Sequence, residues 1–479
     1  MKFSSLAPLS AVLLLASCAV GPDYKRPEAG APVAFKEGEG IWKPAQPSDG
    51  ILRGEWWALF GDETLDGLEQ DTAANSQQVA ASLARVEQAR AIAGIVKSDF
   101  YPKISANPEV TRNRFSLTSP AYNPGVGQYF TDIQLPLDLE YELDLWGKIR
   151  RKAEAASGSV RATEAEHAAV LLLVQTEVAR NYFLLRTLDE EIAVVGQMVE
   201  SREKSLRLML EKRAAQLESD FNVSRAQTEL STTKVRCADL VGKRGRLEHA
   251  LAVLLGKAPA NFSLKANPLM AKPDGNDDII LPEIPVGTPS DLLQRRPDIA
   301  EAERRVMAAN AQIGVATAAF FPSIKIFGLA GFESVDSSVL FDSASKWWSI
   351  GPSLHLPIFE GGQNISNLNR SEAAYLETVA NYRQTALQAF SEVEDTLLGL
   401  KILKEQYADL KKASVSADHA LGLAHSQYRE GIISYLDVIT TEDSALNIRQ
   451  QRVQVLGQRY AATVLLIKAL GGGWDDKSD

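Results

Sequence analysis

Proline is missing from two long stretches of this 479-residue chain: none of its 21 prolines falls between Leu137 and Ala258 or between Ile358 and Asp479. Proline removes a backbone donor and clashes with the preceding turn, so its absence reads as very long helices. That excludes an ordinary globular domain, whose helices average about a dozen residues. Cysteine is equally scarce: only Cys18 and Cys237 occur, and Cys237 reads as a packed thiol in a helix. The five histidines, His167, His249, His355, His419 and His425, have no metal-ligand spacing, so neither a zinc site nor a redox pair is indicated. Excess positive charge is also lacking. With 51 Lys and Arg against 61 Asp and Glu the net charge is −10, and no basic face stands out for a nucleic-acid partner. No nucleophile, base or metal cluster appears, so the chain is expected to be neither an enzyme nor the holder of a cofactor. Beyond the first twenty residues there is no run of 18 apolar residues; a chain of this kind that spans a membrane would do so with strands.

What is present is ample for a large core: 45% of residues are hydrophobic and 23% charged. Lys2 precedes an apolar run from Leu6 to Leu15, and Leu15-Ala16-Ser17-Cys18 follows, the layout of a secretory signal over 1–17. The ending resembles the bacterial lipobox, which implies cleavage before Cys18 and a covalent lipid there, N-acyl and S-diacylglycerol. Ala19 in place of aspartate then implies sorting to the outer membrane. An ordinary signal peptide that happens to contain Cys18 is the alternative. Residues 18–61, with Pro22, Pro27, Pro32, Pro44 and Pro47, read as an extended tether.

A helix is expected from Leu65, where Leu68, Thr72, Asn75, Val79, Ser82, Val86, Ala89, Ala93 and Val96 recur at steps of three and four. The period then changes to two. From Tyr129 to Leu145 the odd positions are almost all apolar, while Asp132, Asp138, Glu140, Glu142 and Asp144 occupy even ones, so the segment predicts a strand with one apolar and one acidic face. Ile104 to Val110 alternates as its hairpin partner. The pattern recurs: Phe100-Tyr101-Pro102 matches Phe320-Phe321-Pro322, and Leu255-Gly256 matches Leu470-Gly471, giving a tandem duplication with a period near 215 residues. The first repeat is 62–258, with a hairpin at about 103–145 and a helical hairpin at 146–256; a connecting segment covers 259–290. The second repeat is 291–471, with a hairpin at about 323–358 and a helical hairpin at 361–470, before a tail at 472–479. Each leading helix of those hairpins would be about 100 Å long at about 1.5 Å per residue.

Strands nine to eleven residues tall, flanked by Phe100, Tyr101, Tyr129, Trp146, Phe320, Phe321, Trp347 and Trp348, have the dimensions and aromatic girdles of a membrane β-barrel. A soluble amphipathic sheet over a helix is the competing reading. One chain supplies four strands and bacterial barrels start at about eight, so closure requires several chains, two giving eight strands or three giving twelve.

The run Gly287-Thr288-Pro289-Ser290-Asp291-Leu292-Leu293-Gln294-Arg295-Arg296-Pro297-Asp298-Ile299 resembles the signature of the TolC/OprM/NodT family of outer-membrane efflux lipoproteins. So do Gly21-Pro22-Asp23-Tyr24-Lys25-Arg26-Pro27, Trp56-Trp57-Ala58-Leu59-Phe60 and Leu143-Asp144-Leu145-Trp146-Gly147. The resemblance covers nearly the whole chain. It implies a mainly α fold with a membrane β-barrel: a homotrimer whose twelve strands, four per chain, continue into a long α-helical barrel in the periplasm. It implies a passive exit duct in the outer membrane, partnered by a periplasmic adaptor and an inner-membrane pump, usually of the resistance-nodulation-division type. Type I protein secretion is a second role for that fold, and a periplasmic adaptor with long helical hairpins is a reading from another class.

The resemblance also implies a gate at the turns between long helices. Tyr428 and Asp437, around Gly431, match positions that in some relatives form hydrogen bonds and an acidic ring. Ile433 and Thr440 stand where some relatives carry arginine and a second aspartate, so one acidic ring with apolar packing is expected; Glu442 and Asp443 have no firm match. Ser434 and Asp437, three apart at a helix start, equally suit a cap. The first-copy turn, Lys212 to Asp220, lacks the glycine. Arg295-Arg296 before Pro297 reads as a structural ion-pair site rather than a phosphate site. The even-position acids would face a pore and favour cations.

Overall fold

The structure, a computed structural model, describes residues 19–32, 34–38, 55–118, 120, 125, 128–269, 281, 282, 284 and 289–472. The signal sequence and Cys18 lie outside the described residues, as do 473–479 and much of the 259–290 connector. The described residues form two compact units, one drawn from 1–28, 85–163 and 301–382 and the other from 29–84, 164–300 and 383–479.

The duplication is sharper in the helices than in the sequence motifs. In the first copy Lys148–Ala214 (α3) and Asp220–Leu254 (α4) have 67 and 35 residues; in the second, Gln363–Arg429 (α7) and Tyr435–Ala469 (α8) have the same 67 and 35. Shorter helices lead each copy: Glu63–Asn75 (α1) and Gln77–Lys97 (α2), then Pro289–Arg295 (α5) and Pro297–Ala318 (α6). The helix expected from Leu65 is therefore two. Ser76 has an extended backbone (φ −64, ψ 124), and beside the break Gly256, at φ +69, lies so close that a Cβ would meet the Asn75 carbonyl oxygen at 2.2 Å. Of the heptad positions only Asn75 is exposed, and Ser76 is buried in its stead.

The first unit holds the sheet: Lys103–Ala106 (β1), Glu109–Arg114 (β2), Tyr129–Leu143 (β3), Ser323–Ser334 (β4) and Lys346–His355 (β5), all antiparallel. The order is β1-β3-β4-β5 with β2 also on β3, so β1 and β2 are two lengths of one edge strand. They part at Asn107 and Pro108, opposite Pro136, which has no N–H to give the ladder. Gly331 lies on the other flank of Pro136; a Cβ there would meet Leu135 O at 2.3 Å. Residues paired across a ladder share a face. Leu137 pairs with Ala330, Leu139 with Gly328, Tyr141 with Ile326 and Leu143 with Ile324; Ile326 pairs in turn with Pro352 and Ala330 with Trp348. Over this length one face of the sheet is apolar from edge to edge and open, Ile104, Val110, Leu137, Trp348, Ile350 and Leu354 being all more than half exposed; Arg112, Arg114 and Lys346 share that face where β3 begins.

The second unit is built on an apolar core in which Trp56, Trp57, Leu65 and Leu68 pack with Val178, Tyr182 and Phe183 of α3, Leu251 of α4, Phe390 and Leu397 of α7, and Val464 and Ile467 of α8. Phe60, Phe183 and Tyr460 stack through it at centroid separations of 4.6 to 6.3 Å. One stretch of α3 has a mean hydropathy of 1.3 over 18 residues, long and apolar enough to cross a membrane by length and composition alone. It amends the expectation that no such run follows the signal sequence, although 44% of it is buried inside the molecule.

Where it is described, the segment expected as an extended tether over 18–61 is tied down by its own aromatic side chains. Trp56–Phe60 is a 3-10 turn with both tryptophans in the core, and Phe35 is 3% exposed in the same cluster. The backbone N–H groups of Lys36 and Glu37 donate to the Glu394 carboxylate at 2.7 and 2.9 Å. Its prolines disfavour a helix, and in the described part buried aromatics decide where it lies.

Candidate functional site

The two helix-turn tips are built alike. At the first, Leu217 N–H donates to the Lys212 carbonyl and Gln216 N–H to Arg213; at the second, Ile432 donates to Gln427 and Gly431 to Tyr428. Each long helix therefore ends in a residue of left-handed backbone, Gly431 at φ 75 and Gln216 at φ 61. Ser219 and Ser434 then cap the returning helices, each serine hydroxyl accepting from a backbone N–H three residues on.

Tyr428 joins the two tips. Its ring lies under Lys212 Nζ at 4.9 Å, its hydroxyl donates to Met209 Sδ at 3.7 Å, and it packs on Tyr435 at 5.7 Å. Burial, then the neighbouring Glu218 carboxylate, pushes its phenol upward. Beneath lies a small apolar cluster of Met209, Val223, Ala226, Tyr435, Val438 and Ile439, with Ile433 at its edge. Asp437 sits in a complete capping box: its Oδ2 accepts from Ser434 N at 3.0 Å and Ser434 Oγ at 2.6 Å, and its own N–H donates to that hydroxyl. These bonds hold its carboxyl below the usual range. Thr440 is turned back on its own helix, donating to the Leu436 and Asp437 carbonyls.

Sequence reasoning missed the ionic knot behind the tips. Arg202 of α3 is 4% exposed by side chain; it donates to the Glu229 carbonyl at 3.0 Å and to Thr233 of α4, and reaches Asp443 Oδ1 at 2.5 Å and Glu442 Oε2 at 3.7 Å on α8. His425 of α7 stands 3.5 Å from the other Glu442 oxygen. Burial raises the Glu442 carboxyl and lowers the His425 imidazole. One guanidinium thus ties the first helical hairpin to the second. The adjacent acids Glu442 and Asp443 were the only trace of it in the sequence.

The strand acids divide. Asp132, Asp138, Glu140 and Glu142 share the polar face of β3 with Gln134. All four are answered locally: Asp132 by Gln134 at 2.8 Å, Asp138 by Asn107 at 2.5 Å, Glu140 by Lys325 at 2.6 Å and Glu142 by Lys148 at 2.9 Å. Asp144 corrects the sequence reading. It lies past the end of β3, accepts the backbone N–H groups of Ile149 and Arg150 at 2.9 and 3.0 Å, and pairs with the Arg150 guanidinium. The alternation runs on through Leu145, but the start of α3 needed an acceptor for its free donors. Arg296 is 5% exposed and bound to Asp298, Glu392 and the Ala469 carbonyl, which leaves it no role as a phosphate ligand.

A four-stranded sheet with an open apolar face and two helical hairpins, each of 67 and 35 residues, are the parts that a membrane-inserted duct requires. Residues 68–257 and 288–472 match the family model described as outer membrane efflux protein, one span per copy of the duplication. The chain belongs to that family. It is 32% identical over 474 residues to outer membrane protein OprJ of Pseudomonas aeruginosa, covering 98% of this chain and 96% of that protein. It is 29% identical to cation efflux system protein CusC of Escherichia coli, covering 99% and 100%. Its structure superposes on the crystal structure of the Campylobacter jejuni CmeC outer membrane channel with a TM-score of 0.87 at 26% identity, over 96% of both chains. The protein is an outer-membrane efflux channel, the exit duct of a system completed by an adaptor and an inner-membrane pump.

Proposed function

We propose that three copies of this chain close a twelve-stranded barrel and that the duct is passive, conducting small molecules delivered by a resistance-nodulation-division pump. The observation that carries it is the pair of unpaired edges. Among the described residues β1 and β2 pair only with β3, and β5 only with β4, so each sheet offers two edges that the hydrocarbon core of a bilayer does not tolerate. Joining neighbouring copies edge to edge satisfies every strand, and three copies leave a pore where two would fill it with side chains. The bare apolar face then meets lipid, while the face of Asp132, Asp138, Glu140 and Glu142 lines water.

Cys18 is acylated in this reading, which rests on the lipobox. The tips carry exposed Leu217, Phe221, Ile432 and Leu436, and there the adaptor docks and the duct is closed, with Asp437 of each copy contributing to one acidic ring. Recovery of the protein as heat-sensitive trimers in the outer-membrane fraction, with small conductance in planar bilayers, is the expected result. A soluble periplasmic monomer would overturn it.

A further inference from the structure

The eight residues that follow Cys18 are seated in a groove shaped for them. Ala19 rests on Gly147, where a Cβ would meet the Ala19 Cβ at 2.7 Å and its Cα at 2.8 Å; Gly147 adopts φ +77. Gly21, at φ +97, rests on Gly314 of α6 so closely that a Cβ would meet the Gly314 Cα at 2.4 Å. A side chain at Gly314 would strike Arg151 Cγ at 2.8 Å and Val20 O at 3.0 Å. Three glycines on three separate segments thus keep this contact open to backbone alone.

Polar groups then fix the segment's register. Val20 N–H donates to the Trp146 carbonyl at 3.0 Å, as a strand residue would. Arg151 donates to the Val20 and Gly21 carbonyls at 3.3 and 3.4 Å and to Asp23 at 2.9 Å, while Asn310 donates to the Pro22 carbonyl at 2.9 Å. Glu303 receives Tyr24 Oη at 3.2 Å and Arg26 Nη2 at 2.9 Å. Four of these seven bonds go to main-chain groups, three carbonyls and one N–H, so what is recognised is in large part an extended backbone path ending at Ala19. Trp146 itself is anchored, stacked on Phe321 at 4.8 Å with its indole N–H on the Pro322 carbonyl. That places residue 19 where β3 ends and α3 begins, at the foot of the strands.

We propose that Ala19–Arg26 is a latch that fixes the acylated end of the chain at the foot of the barrel, with Arg151, Asn310 and Glu303 as its positioning residues. The proposal rests on the lipoprotein reading of Cys18. The lipid enters the bilayer beside Trp146 instead of wandering on a leash. If the latch were released and only the Phe35 attachment remained, residues 19–35 would range over about 20 Å as a flexible chain.

The test uses the full-length protein in lipid, with nitroxide labels on Lys25→Cys and Arg305→Cys in a Cys237→Ser background, and pulsed dipolar distance measurement. A single narrow distance distribution is expected. Gly314→Val, and independently Gly21→Val, should broaden it at least threefold. Gly21→Val lies on the tether, so it retains the test if the helix variant fails to fold. A broad distribution in the parent, or an unchanged one in Gly21→Val, overturns the latch. Acyl labelling of Cys18 measured on the same samples separates the two ideas: its absence with a narrow distribution removes the lipid but leaves the docked segment.

Discussion

Gln216 and Gly431 stand 215 residues apart at the same point of two copies of one turn, and both hold a left-handed backbone, φ 61 and φ 75. The glycine adopts this freely. The glutamine meets its own carbonyl with a Cβ, a strain of about 1 kcal/mol. Gln216→Gly should therefore stabilise the first tip by up to about 1 kcal/mol, and Gly431→Ala should destabilise the second by a similar amount. Hydrogen exchange at residues 210–225 and 425–440 reads each change locally. Equal exchange in parent and variant would mean the turns relax the strain.

Asp437 is both a cap and the acid assigned to the gate, and Ser434 separates the two roles. Ser434→Ala breaks the capping box and should cost about 1 kcal/mol of helix stability while leaving the carboxylate in place. Asp437→Ala removes both, and should raise single-channel conductance well above that of Ser434→Ala. Matching conductances in the two variants would reduce Asp437 to a cap.

Removing Arg202 leaves Glu442, 3% exposed, with only the His425 imidazole, 3.5 Å away and its own charge disfavoured by burial, as an ionic neighbour among the described residues. Arg202→Met should destabilise the chain by about 3–5 kcal/mol, and adding Glu442→Gln should recover part of that by abolishing the stranded charge. Thermal unfolding of the single and double variants checks it. A double variant no more stable than Arg202→Met would mean that Glu442 carries no charge there.

Glu69 is fully buried, neither carboxyl oxygen has a hydrogen-bond partner among the described residues, and burial pushes its carboxyl up to about 9. The folded chain therefore holds a proton that the unfolded chain releases near pH 4.5, and stability falls as pH rises between about 4.5 and 9. Glu69→Gln should flatten that decline and raise stability at pH 8 by about 1–3 kcal/mol, with no gain below pH 4. Melting temperatures at pH 4 and pH 8 decide it; parallel shifts at both would place the effect in packing.

Local periodicity carried much of the architecture. The proline gaps and the 215-residue repeat gave both pairs of long helices, whose starts lie only two residues beyond the Trp146 and Gly361 expected for them. Alternation gave the faces of β3, β4 and β5, because side-chain direction along a strand follows from position alone. It overran at Asp144, where the demand of a helix start for acceptors outweighed the pattern. It also missed the break at Ser76, which answers to the approach of Gly256, a residue 180 positions away.

The sequence by itself determined what is local: where helices run without interruption, which strand face is apolar, and that the unit occurs twice. Only the tertiary structure decided what is joined over distance. Arg202 is one of 51 basic residues until folding sets it among Glu229, Glu442 and Asp443. The prolines after Cys18 specify an extended chain but not its resting place, which Gly147 and Gly314 fix by the space they leave empty. Backbone preference acts between neighbours in sequence; burial, ion pairing and close backbone approach act between neighbours in space.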